Sequence, residues 1–191
     1  MAGVSRTGAR PQRAKGLPDL PRCPWAEGDP LMARYHDEEW GVPVRGDAAH
    51  FERLCLEVFQ AGLSWRTILN KRAAFRRAFD RFSPRKVAAY GGREVRRLLA
   101  DAGIVRHRGK IESTIENARR FLALSKAHGS FARYLASLPD GLEDLRPILR
   151  KEFLFMGPKI AESYLESVGK IAPLHDPRCW RAREAGRRGG A

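Results

Sequence analysis

Apolar residues in this chain recur at the period of an α-helix, and no segment sustains the alternation of a strand. In "FERLCLEVFQ", Phe51, Leu54, Cys55 and Val58 fall at i, i+3, i+4 and i+7, which places them on one helical face. "QAGL" interrupts that face, and Ser64 stands where it can cap a second helix, "WRTILNKRAAFRRAF". Ser83-Pro84 joins a capping residue to a proline suited to the first helical position. Further helices are expected near 93–100, 110–127, 130–138 and 158–168, the last ending at Gly169. No internal repeat of fixed period is present. The expected fold class is all-α.

With 191 residues and 43% hydrophobic content, the chain can bury a sizeable core. It contains no apolar run of about 18 residues, so no transmembrane helix is expected. The first twenty residues lack the apolar stretch of a secretory signal, and a cytoplasmic location is expected. We expect a flexible basic arm over 1–20, a single domain over 21–181 and a flexible basic tail over 182–191. Lys and Arg number 36 against 22 Asp and Glu, a net charge of +14. Residues 1–20 hold four basic groups and one acid, and residues 177–191 hold five and one. The remaining body therefore still carries about half of the excess, which suits a phosphate backbone, although a well-solvated Arg-rich surface gives the same number.

Two glycine-punctuated turns could meet such a backbone. In "LFMGPKIAESYLESVG", Gly157-Pro158 opens a helix whose N-terminus favours negative charge, and Lys159 follows. "AGIVRHRGK" carries Arg106, His107, Arg108 and Lys110. An ordinary helix connection and a solvated basic turn explain these two segments equally well.

Three cysteines without an export signal do not make a disulfide framework. Cys55 lies on the apolar face and reads as core. Cys23 and His36 stand near the start of the expected domain, and His175 and Cys179 near its end. Two Cys and two His form a tetrahedral zinc set with no position left for substrate. The spacing is not that of a standard finger, so it leaves open whether these are zinc ligands or unrelated His and buried Cys.

Several segments together resemble the DNA-3-methyladenine glycosylase I family, a branch of the helix-hairpin-helix glycosylases. They are "RCPW" (22–25), "DPLMARYHDEEWGVP" (29–43), "CLEVFQAGLSW" (55–65), "FSPRKVAA" (82–89), "DAGIVRHRGKIESTIENAR" (101–119) and "FMGPKIAESYLESVG" (155–169). The resemblance runs from about residue 22 to 180. It implies an all-helical monomer that removes 3-methyladenine from alkylated double-stranded DNA without a catalytic metal. It also implies a structural zinc on Cys23, His36, His175 and Cys179.

A glycosylase extrudes the damaged nucleotide and grips its base in a pocket. The resemblance assigns Glu57 and Tyr35 to the reacting base, with Trp25 and Trp65 as base-contacting rings. It makes Gly62-Leu63 a wedge that fills the gap left in the duplex. Gly157, Lys159, Arg106 and Arg108 are the expected backbone contacts. Asp37, Glu38 and Glu39 read as scaffold acids or partners of nearby Arg. Where the family usually has tyrosine this chain has Met32, and Val58 and Phe59 replace a glycine and a glutamine beside Glu57. Met32 and Phe59 are therefore expected to reshape the pocket wall. That change leaves room for a different alkylated base, or for a relative that binds DNA without cleaving it.

Overall fold

The computed structural model describes residues 19–188; residues 1–18 of the expected arm over 1–20 and the last three residues lie outside it. No strand occurs among the described residues, in agreement with the all-α expectation. None of their helices is long and apolar enough to cross a membrane. The described residues divide into two compact units, one of residues 40–173 and one of the two ends, 19–39 with 174–188.

The larger unit is organised around α2 (Asp47–Gln60), in which every residue from His50 to Phe59 is buried. The sequence shows one apolar face here, yet the surrounding helices close over all sides, as expected only of a central helix. Glu52 is paired in this setting with Arg72 at 2.5 Å and Arg76 at 2.9 Å. Those arginines come from α3 (Trp65–Ala78), whose first turn is capped by Ser64 Oγ accepting from the Thr67 amide at 3.2 Å. Phe59, Phe75 and Phe79 pack on the α3 side, and Phe51, Phe121 and Phe131 on the other. Phe51 belongs to α2 itself, whereas Phe121 comes from α6 (Arg108–His128) and Phe131 from α7 (Phe131–Ser137). Between α3 and α6 lie α4 (Pro84–Ala88), which starts on the expected proline although Ser83 makes no side-chain cap, and α5 (Gly92–Ala100).

The segment after α7 reads in sequence as a linker, because Pro139, Gly141 and Pro147 crowd it. It forms α8 (Leu142–Glu152) instead, with Pro147 inside the helix and Leu145 and Leu149 buried on its inner face. As the sixth of eleven helical residues, Pro147 forgoes the intrahelical amide bond to Glu143 O. A tight turn then leads to α9 (Pro158–Ser167), which ends at Gly169 as expected.

In the terminal unit, Asp29 caps α1 (Pro30–Glu38) by accepting from the amides of Leu31 at 2.8 Å and Met32 at 3.2 Å. The other end contributes α10 (Trp180–Arg188). The expected flexible tail from 182 is thus helical through Arg188.

Gly169 adopts φ +72°, and a Cβ there would lie 3.0 Å from both Gly41 O and Pro43 N, two backbone atoms with little room to yield. Gly129 at the end of α6 has φ +81°, but its nearest obstacle is the flexible Arg133 side chain. Gly129→Ala should therefore cost about 1–2 kcal/mol, and Gly169→Ala roughly 3 kcal/mol or more. Urea unfolding of the two variants checks the order.

Candidate functional site

The terminal unit gathers four ligand atoms. One each from Cys23, His36, His175 and Cys179 lie within 4.8 Å of one another. Cys23 Sγ is 3.5 Å from His175 Nδ1, and Cys179 Sγ is 3.4 Å from His36 Nε2 and 3.7 Å from His175 Nδ1. Bond lengths of about 2.3 Å to sulfur and 2.0–2.1 Å to nitrogen give a tetrahedral S···N edge of about 3.5 Å. The observed edges fit a four-coordinate metal.

The surroundings prepare the two imidazoles as ligands. Burial lowers the pKa of His36, and burial followed by the charges of His36 and Arg181 lowers His175 to about 4, so both imidazoles are neutral near pH 7. His36 Nδ1 is 2.8 Å from Asp37 Oδ1, leaving Nε2 to face the cluster. Asp37 is itself held by Arg22 at 2.6 Å and by Trp180 Nε1 at 3.1 Å. A carboxylate orienting a metal-binding imidazole is the arrangement expected around a metal. Burial pushes the Cys23 thiol up to about 11, and the Asp176 amide, 3.4 Å from its Sγ, pulls the other way toward a thiolate. Asp37 was legible in sequence only as a scaffold acid; its neighbour His36 was the signal for this role.

On the same unit, Tyr35 and Met32 are buried at 4% and 6% exposure, whereas Trp25 is 38% exposed. The Trp25 ring lies 6.3 Å from Tyr35 and 5.3 Å from His36. One aromatic face thus remains accessible beside the cluster.

On the larger unit, Glu57 is 4% exposed near the C-terminal end of α2. Burial pushes its carboxyl up to about 8, and the negative charge of Glu166 acts in the same direction against the opposing pull of Arg53. At neutral pH the group is therefore mainly a neutral acid in the empty protein. The expected role of Phe59 as pocket wall is not matched. Its ring is fully buried, 4.7 Å from Phe75 and 5.7 Å from Phe79, so it is a core residue. Val58 is likewise fully buried.

After α2 the chain turns tightly through Ala61-Gly62-Leu63, with the Leu63 amide donating to Gln60 O at 2.7 Å and Gly62 at φ +84°. This turn leaves Leu63 40% exposed, and Trp65 follows it half-buried at the start of α3. A wedge requires such a residue, apolar and held outward on a short turn.

The two basic turns separate in role. Arg106 and Arg108 are exposed, Arg108 pairing loosely with Glu112 at 3.2 Å. Lys110 turns inward at 6% exposure, donating to Phe59 O at 3.0 Å and Ala61 O at 2.7 Å. The α8–α9 turn is fixed by Asn117, which accepts from the Leu154 amide at 2.8 Å and donates to Leu154 O at 3.0 Å. No atom approaches within 4 Å of a Cβ placed on Gly157, so the backbone at the start of α9 has open space in front of it. Lys159 is exposed beside it and bridges to Glu162 at 3.1 Å. Asn117 escaped the sequence reading. An asparagine inside a long helix, where it is a poor helix former, was the available signal.

Residues 25–148 match the methyladenine glycosylase family. DNA-3-methyladenine glycosylase 1 of Escherichia coli is 39% identical over 172 residues, which cover 80% of this chain and 92% of the relative. Among solved structures, a 3-methyladenine DNA glycosylase I superposes with a TM-score of 0.75 at 38% identity, over 84% of this chain and 98% of its own. The Staphylococcus aureus 3-methyladenine DNA glycosylase I, whose structure addresses 3-methyladenine recognition, gives 0.73 at 34% identity, over 79% and 91% of the two chains. Agreement of this extent in both sequence and helix arrangement means that the chain belongs to the methyladenine glycosylase family.

Proposed function

We propose that this protein is a monofunctional DNA glycosylase that hydrolyses the N-glycosidic bond of 3-methyladenine in alkylated double-stranded DNA. The observation that carries the reading is Glu57, a buried carboxyl held neutral by its surroundings on the helix that runs into an exposed Gly62-Leu63 turn.

Alkylation at N3 makes the nucleobase cationic, so it leaves the sugar as a neutral base and needs little general-acid help. Arrival of the cation lowers the Glu57 pKa, the proton passes to solvent, and the carboxylate complements the charge and accepts from the exocyclic amino group. Aromatic faces attract the same cation, and the half-buried Trp65 on this unit supplies such a surface. Leu63 enters the stack as the base leaves it. Water then attacks an oxocarbenium-like sugar. The α8–turn–α9 segment acts as the hairpin of a helix-hairpin-helix motif: the Gly157 amide and the positive end of α9 face a phosphate, with Lys159, Arg106 and Arg108 adding charge. The expected monomeric state and cytoplasmic location accord with this role.

The cluster of the terminal unit is read as a structural zinc site, in which Cys23, His36, His175 and Cys179 would hold the ion. With all four positions filled by protein, a zinc ion supplies cross-linking between distant stretches of chain and no substrate activation. Elemental analysis should find about one zinc per chain. Cys23→Ala and Cys179→Ala should each lose it, together with several kcal/mol of stability.

The activity is tested by incubating the protein with methylated DNA and resolving the released bases. We expect 3-methyladenine rather than 7-methylguanine, with Glu57→Gln lowering the rate at least tenfold. Tight DNA binding without release of any base would overturn the enzymatic reading.

Glu57 also makes stability depend on pH. Its folded pKa of about 8 lies above its ordinary value of 4.5, so folding retains a proton that the unfolded chain releases between the two. Stability is then unaffected below about pH 4.5, falls as pH rises towards 8, and levels off above it. The interval corresponds to roughly 4–5 kcal/mol. Urea unfolding of Glu57→Gln against the parent protein should show a stability difference that grows in favour of glutamine from pH 5 to pH 8.5.

A further inference from the structure

Helix α6 touches both turns that the functional reading assigns to DNA, and each contact is made by one buried side chain. At its first turn, the Lys110 ammonium lies against the carbonyls of Phe59 and Ala61, 3.0 and 2.7 Å away. Those carbonyls belong to the end of α2 and to the turn presenting Leu63, where helix geometry leaves oxygens without amide partners. The cation also sits at the negative end of the α2 dipole. Two turns further along, Asn117 is fully buried and grips Leu154 through both its amide and its carbonyl.

Leu154 begins the α8–α9 turn. The next residue, Phe155, has φ +56°, a conformation costly for a phenylalanine, and its ring is 47% exposed and 6.3 Å from His107. A residue in that conformation persists only where its neighbours hold it, and Asn117 before it and the buried Met156 after it do so. Seven residues separate Lys110 from Asn117. That is nearly two full helical turns, so both lie on about the same face, roughly 10.5 Å apart along the axis.

We propose that α6 is a ruler that sets the spacing between the wedge turn and the phosphate-facing turn, with Lys110 and Asn117 as its two positioning residues. Neither touches DNA. Lys110 holds Leu63 at the depth needed to enter the stack, and Asn117 holds the Gly157 amide where a phosphate arrives when it does. This assignment rests on the wedge and hairpin roles given above.

The two residues make different failures. Lys110→Met removes the donor and leaves two carbonyls without it, so base extrusion should suffer while the base site on α2 stays intact. Expected results are a loss of at least tenfold in kcat on methylated duplex, affinity for free 3-methyladenine within twofold of the parent, and no added loss in the Leu63→Ala background. Asn117→Leu should instead weaken binding to undamaged duplex at least tenfold and flatten its salt dependence, again sparing the free base.

A 2-aminopurine placed beside a tetrahydrofuran abasic analogue reads stacking without any chemistry. Its fluorescence rise on binding should fall alike in Lys110→Met and Leu63→Ala. Should Lys110→Met not fold, Lys110→Arg, whose wider planar head cannot reproduce the two-carbonyl site, is read by the same criteria. Full additivity of the Lys110 and Leu63 losses, loss of free-base affinity, or unchanged duplex binding by Asn117→Leu would overturn the ruler. If the parent protein unstacks the duplex but releases no base, the glycosylase reading falls while the ruler stands.

Discussion

The larger unit depends on keeping one carboxyl out of water. Ten consecutive buried residues make α2 a helix with no solvent face, and four of them, His50, Glu52, Arg53 and Glu57, are polar. Glu52 is paired with two arginines of α3, whereas Glu57 is held in its neutral form by burial. A group kept neutral at the expense of stability is poised to ionise when a cation enters its surroundings. The two clusters of phenylalanine flanking α2 offset that cost through the apolar area they bury. The same packing removes Phe59 from the list of pocket residues.

The terminal unit solves a different problem. Its helices are short, and residues from opposite ends of the chain must meet without a large apolar core between them. A four-ligand cluster does this with few residues, and the Arg22–Asp37–His36 chain fixes the imidazole before any ion arrives. On the function proposed above labour is divided: the ends would be tied by coordination chemistry, while the body would position acid, wedge and backbone contacts by packing. Lys110 belongs with the second group. Read in sequence as part of a basic loop with Arg106 and Arg108, it lies in the first turn of α6 with its ammonium against two backbone carbonyls.

Much of this was legible in the primary structure where the information is local. The apolar period marked α2 and α3, Ser64 marked the boundary between them, and Gly169 marked the end of α9. Helices α1, α8 and α10 were not recognised, since prolines and charges there imitate loops and their inner faces are only a few residues wide. The family resemblance named the Cys and His set and the Gly62-Leu63 turn, and both occupy geometry suited to those roles.

What the sequence determined by itself was the all-helical class, the family, and the residue types available for base, metal and phosphate. Only the tertiary structure decided which way those side chains face. Periodicity reports a polar and an apolar side, but a helix buried all round has no polar side to report. Glu57, Phe59 and Lys110 were therefore indistinguishable from surface or pocket groups until their neighbours were known. Burial made the first a neutral acid and the second core, and two backbone carbonyls made the third a fixed support.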